Sequence, residues 1–163
     1  MRKVVSSLVL VMSVAVLATI TYAQGTCTRE DVLKSVEAAV ATLEQEGTAG
    51  LEKVGQLRFC GDNYVFVNDL GAKTLMHINT ALIGKILIGL KDDTGKVFFA
   101  DFTKTVQGAQ STKNGKTYYN GSGWVSYRWP KKPGEKEFFP KNTYVKGCLM
   151  GDENVYVGAG IYE

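Results

Sequence analysis

Residues Tyr64 to Ile78 read YVFVNDLGAKTLMHI, and this stretch decides the fold class. Aromatic and β-branched residues alternate from Tyr64 to Asp69, LGAK supplies a turn, and Thr74 to Ile78 returns as a second strand, so the segment is a β-hairpin. Upstream the period is different. TREDVLKSVEAAVATLEQEG, from Thr28, carries Val32, Val36, Ala39, Val40 and Leu43 at helical spacing, with Thr28 and Asp31 placed as a capping box and Gly47 as the stop. A short second helix is expected over Leu51 to Leu57. Downstream runs a long crossover, Asn79 to Lys116, with a helix around Val97 to Val106, and a polar loop from Gly108 to Gly123. Three strands follow, Trp124 to Trp129, about Phe138 to Lys146, and Val155 to Tyr162, joined by turns at PKKPGE and MGDEN. The expected architecture is α+β: a five-stranded antiparallel sheet with a long N-terminal helix and a helical crossover, the helices on one face.

The first residues are read separately. Arg2 and Lys3 lead into an apolar run from Val4 to Ile20 that ends in TYA, the pattern of a secretory signal peptide over residues 1–23. An uncleaved N-terminal anchor is the alternative. The remaining segment, 24–163, is one domain of ordinary size, in which 17 Lys and Arg face 16 Asp and Glu. Nothing in that balance suggests nucleic acid or an anionic membrane, and no nucleic-acid partner is expected. Export implies an oxidising compartment, where Cys27, Cys60 and Cys148 allow three pairings between which spacing does not choose. No cysteine has the neighbours of a zinc, haem or redox motif, and no cofactor or metal is expected.

YVFVNDLGAKTLMHIN, ALIGKILIGLKDDTGKVF, GSGWVSYRWP and PKNTYVKG with VYVGAGIY fall in the order seen in the extracytoplasmic single Cache domain, type-two single Cache group, and the chain resembles that family across nearly all of 24–163. The resemblance implies a PAS-like sheet whose concave side, covered by the crossover, holds a small extracellular ligand. Relatives usually place a proline two residues after the matching histidine, where this chain has Asn79, and the loop from Gly108 to Gly123 is longer and more polar than theirs. Both departures are expected at the pocket rim.

Within WVSYRW, strand alternation sets Val125, Tyr127 and Trp129 on the inner face and Trp124, Ser126 and Arg128 on the other. Tyr127 and Trp129 are candidate pocket walls, with plain core as the alternative reading, and Trp124 closes an edge. His77 is the only histidine; on general grounds a strand histidine is structural, whereas the resemblance places it at the pocket. Lys141, alternating with Thr143 and Val145, can present an ammonium to a small anion, while Tyr144 lies on the other face. Arg128 is the rival anion partner, since its planar fork grips a carboxylate well. The DDTGK stretch, Asp92 to Lys96, lacks the spacing of a calcium or phosphate loop and reads as a turn before a helix.

No nucleophile elbow, HExxH or paired-base motif is present, so a non-enzymatic role is expected. The resemblance implies binding of a small organic anion such as a short carboxylate. With the signal cleaved, the expected form is a free periplasmic or secreted Cache domain that signals through a separate membrane receptor or sensor partner. A homodimer through the N-terminal helix is the further partner expectation. The rival class is an accessory protein with a vestigial pocket.

Overall fold

The computed structural model describes residues 27–163. The signal-peptide expectation for residues 1–23 lies outside them. Helix α1 (Arg29–Glu46) starts at the capping box read from the sequence: Asp31 N donates to Thr28 Oγ1 at 3.2 Å, and Thr28 N donates to Asp31 Oδ2 at 2.9 Å. Two donors orphaned by the helix start are thereby satisfied. Gly47 ends the helix at φ 61°, in the left-handed region that favours glycine, and its N–H closes on Leu43 O. A 3₁₀ turn leads into α2 (Gly50–Gln56), which returns the chain to the sheet.

Strands β1 (Arg58–Phe59), β2 (Asn63–Asp69) and β3 (Thr74–Met76) form the first antiparallel block, with β1 and β3 pairing to successive parts of β2. Helix α3 (Phe98–Val106) follows the crossover. A hairpin of β4 (Gln110–Lys113) and β5 (Lys116–Tyr119) precedes β6 (Ser122–Trp129), β7 (Phe139–Met150) and β8 (Glu153–Tyr162). The main sheet runs β1-β2-β8-β7-β6, antiparallel throughout, with the last strand inserted between β2 and β7. The five expected strands are all present, and two-residue β1 adds a sixth at the edge.

Two expectations are corrected. The segment Gly108 to Gly123, read as a loop, contains the β4–β5 hairpin, turned by Asn114 and Gly115 at φ 53° and 76°. Its Lys113 is ion-paired with Glu44 of α1 at 2.8 Å. The helices, expected on one face, cover both. Val32, Val36, Ala39, Val40 and Leu43 of α1 pack with Val65, Val67, Val155, Val157 and Ala159 on one side of the sheet. Phe98, Phe99, Phe102 and Val106 of α3 pack with Phe66, Val125, Tyr127, Val145 and Tyr156 on the other. The reason is that the central strands are apolar on both faces, which is the signature of a strand covered twice.

Cys27 and Cys60 form a disulfide that ties the start of α1 to the β1–β2 turn, and Cys148 is a buried free thiol whose burial pushes its pKa up to about 12. No helix among the described residues is long and apolar enough to cross a membrane.

Candidate functional site

The α3 face is not filled to its end. A cavity of about 420 Å³ opens between the segment after β3, which contributes His77, Ile78, Asn79 and Leu82, and the β6–β7 turn, which contributes Trp129 to Gly134. Tyr64 of β2 forms its inner wall and Asp62 lies at its rim. This size suits a small ligand, at the lower end of the usual range for small-molecule pockets.

His77 is buried at 8% exposure, its ring edge-on to Tyr64 with centroids 4.9 Å apart. Its Nδ1 accepts from Asn79 N at 2.9 Å, so the neutral ring carries its proton on Nε2. Burial, together with the nearby Lys141, lowers its pKa to about 3 and keeps it neutral. The imidazole is therefore a donor at this cavity wall, not a cation.

Lys141 stands one layer deeper. It is 2% exposed, and its stem crosses β8 over Gly160, where a methyl group would lie 3.0 Å from Lys141 Cε and collide with Thr143 Oγ1. The glycine pair of the last strand thus serves close approach: a methyl at Gly158 would collide with the Phe66 ring. Lys141 Nζ donates to the Tyr64 hydroxyl at 3.2 Å and sits 4.5 Å and 4.8 Å from the ring centroids of Tyr64 and Tyr162. Burial alone lowers its pKa to about 7. Because the Tyr64 oxygen accepts from Lys141, its own O–H is left to donate, and Tyr64 lines the cavity. Tyr64 and His77 together present neutral donors backed by a buried amine, an arrangement that suits an anionic oxygen ligand.

The other sequence candidates sit as follows. Trp129 lines the cavity. Tyr127 is inward but lies in packed core, stacked on Phe98 at 4.1 Å with its hydroxyl 3.1 Å from Thr143 Oγ1. Trp124 and Tyr144 meet on the α1 face, 5.4 Å apart, with Arg29 over the Trp124 ring. Arg128 turns away from the cavity, its Nε donating to both Asp93 oxygens at 2.8 and 3.0 Å. The DDTGK stretch is a turn before α3: Asp92 Oδ1 accepts from Thr94 N, Thr94 Oγ1 and Lys96 N, and its Oδ2 from Arg128 N. Burial raises its pKa but these bonds outweigh it, and the carboxyl is held at about 2.

Sequence reasoning placed Asn79 at the rim, and it is there, whereas the Gly108 to Gly123 segment is absent from the cavity lining. It missed Tyr64 and Tyr162, which strand alternation from Phe66 and Gly160 could have placed on the same face.

A twice-covered antiparallel sheet with a donor-lined cavity at one end of one face is the architecture of a PAS-like domain. A family model for the Cache domain matches residues 33–163, and the chain belongs to that family. It is 34% identical over 127 residues to the methyl-accepting chemotaxis protein McpP of Pseudomonas putida, an alignment covering 76% of this chain and 21% of the receptor. The chain therefore spans about a fifth of that relative's length. Among solved structures, the periplasmic sensor domain of a chemotaxis protein superposes with TM-score 0.65 at 33% identity, covering 82% of this chain and 95% of that one. A Cache chemosensory domain described as a basis for carboxylic acid recognition superposes with TM-score 0.64 at 28% identity, covering 82% and 91%. The curated relative is a chemotaxis receptor and the first solved neighbour the sensor domain of a chemotaxis protein, neither of them an enzyme, and the chain is a non-enzymatic Cache sensor domain.

Proposed function

We propose that this Cache domain binds a short carboxylate in the cavity walled by Tyr64, His77 and Trp129, outside the cytoplasm, and passes occupancy to a membrane receptor or sensor partner. The observation that carries the reading is Lys141: a buried amine, in no ion pair among the described residues, held behind the cavity wall by the Tyr64 hydroxyl. An isolated buried ammonium is costly unless a counter-ion completes it. A carboxylate can accept from the Tyr64 O–H and from His77 Nε2–H while meeting the charge of Lys141 at short range. Trp129, Ile78 and Leu82 supply the apolar remainder, which favours a small aliphatic tail over a second charge. The kinship with a Cache domain that recognises carboxylic acids supports the same ligand class. In this reading Trp124, Arg128 and Tyr144, on the far side of the sheet, take no part in binding.

A thermal-shift screen against acetate, propionate, pyruvate, amino acids, amines and purines at millimolar concentration tests it. A ligand at ~100 times its dissociation constant stabilises by about 2.7 kcal/mol, several degrees for a domain of this size. A shift with the carboxylates is expected. A response to amines alone would reverse the assigned ligand charge, and silence across the panel would leave the accessory-protein role.

A further inference from the structure

The carboxylate reading leaves the state of Lys141 before the ligand arrives to be explained. Its surroundings are known from every side. Tyr64 faces it from β2, His77 from the segment after β3, Tyr127 from its partner position on β6, and Tyr162 from β8. Lys131, at the β6–β7 turn, lies 5.9 Å from the centroid of the same Tyr162 ring. The α3 side packs Phe98, Phe99 and Phe102 against Tyr127, and Asp62 is exposed at the cavity rim. The amine thus lies between the Tyr64 and Tyr162 rings with His77 nearby, and among the described residues no acid is in ion-pair contact with it.

A buried amine so placed has two ways to relieve the cost of its charge: it releases its proton, or it gains an anion. An anion seated against Tyr64 strengthens the amine's hold on its proton, and by linkage the protonated amine binds the anion more tightly by the same factor. We infer that a carboxylate enters this cavity together with one proton, which Lys141 takes up from solvent, so that occupancy reports acidity as well as ligand concentration. The step balances as carboxylate plus neutral amine plus H⁺ giving the carboxylate–ammonium pair. It rests on the carboxylate reading and adds to it a pH dependence that a permanently charged site would lack.

His77 and Tyr64, which wall the cavity, do not titrate in the range of Lys141. His77 changes charge near 3 and Tyr64 near 12, whereas Lys141, behind the wall they form, changes near 7. The expected profile is flat on the acid side of neutrality, down to the ligand's own titration. Above neutrality, affinity falls by up to about tenfold per pH unit, the limit for one proton.

Isothermal calorimetry on the full chain with acetate, propionate and pyruvate, at pH 6, 7.5 and 8.5 in two amine buffers of different ionisation enthalpy, reads the proton directly. At pH 8.5 the apparent enthalpies should differ between buffers by close to one proton's ionisation, and at pH 6 they should nearly coincide. Lys141→Arg, charged at every pH, should bind with no dependence on buffer. The wild-type measurement stands by itself if that variant does not fold. Equal affinity at pH 6 and 8.5 with buffer-independent heats would overturn the proton coupling and leave the carboxylate site intact. Failure of all three carboxylates to bind at any pH would remove the carboxylate reading, and the coupling with it.

Discussion

The two faces of the sheet are built from different chemistry. The buried core of the α1 face is aliphatic: Val, Ala, Leu and Met side chains from α1, α2, β2, β3, β7 and β8 close on one another, with aromatics at its margin. The α3 face is aromatic, and it also carries His77, Thr143 and Lys141, which are buried and polar. Aliphatic side chains fill space in many ways and leave little of it empty, whereas rings are rigid and meet edge to face or stacked, so the end of a short helix such as α3 leaves room. One face holds the fold and the other, incompletely filled, holds the site.

Removing core from the aliphatic side should therefore cost stability and spare binding. Leu43 is fully buried, and Leu43→Ala should lower unfolding free energy by about 2–5 kcal/mol, with the carboxylate affinity of the folded fraction unchanged. Urea unfolding alongside calorimetry checks both halves. A large loss of affinity in this variant would mean that the faces are coupled and the division is wrong. The disulfide sits at the border between them. Cys27 and Cys60 are 33 residues apart, and opening that loop by Cys60→Ser should cost about 2–4 kcal/mol, read as a lower melting temperature. Reductant should reproduce the loss in wild type and do nothing further to the variant.

Lys141→Met should give the opposite pattern, with stability kept or gained and ligand lost. Loss of a charge-assisted bond predicts weaker carboxylate binding by about 1.5–3 kcal/mol. The pH dependence follows from sign. Lys141 has its pKa lowered from 10.5 to about 7, so between these values the unfolded chain binds the proton and the folded one has released it. The ligand-free protein must then gain stability as pH rises through that window, and His77, lowered from 6.5 to about 3, adds a second rise between its own two values. Melting curves of wild type and Lys141→Met from pH 3 to 10 should share the lower rise, and the variant should lack the upper one.

The aliphatic face was easier to read than the aromatic one. Val32, Val36, Ala39, Val40 and Leu43 repeat at helical spacing, and the Thr28–Asp31 box fixes where that helix begins, all within one segment of chain. The set Val125, Tyr127 and Trp129 on the α3 face followed from alternation alone, as did the placing of Trp124 and Arg128 on the opposite side of the strand. Helices on both faces were missed because Phe66 and Tyr156 fit a strand whose second face is open as readily as one whose second face is covered. The β4–β5 hairpin was missed because QSTKNGKTYY has little apolar alternation, although Asn114-Gly115 is the turn pair that such hairpins favour. The site itself assembles Tyr64, His77, Lys141 and Tyr162 from both ends of the domain, and only strand order brings them together: β8 returns between β2 and β7. No local pattern encodes that insertion.

Arg128 makes the sharpest small test, because the sequence offers it as the rival of Lys141 for an anion. In the fold it is committed elsewhere: Nε bridges both oxygens of Asp93, Nη2 donates to Phe138 O, and its backbone N–H holds Asp92. Arg128→Gln keeps the backbone bond and loses the partly exposed ion pair, for which about 0.2–1 kcal/mol of stability is expected. Carboxylate affinity and its pH profile should match wild type within about 0.5 kcal/mol, the usual scatter of distant substitutions. If the same substitution abolished binding while the fold survived, the anion would have to lie on the α1 side, and the cavity beside His77 would be the wrong site. The two basic residues differ by one strand position in their pairing, Arg128 with Pro140 and Tyr127 with Lys141, and that offset of one residue puts Arg128 on Asp93 and Lys141 behind the cavity wall.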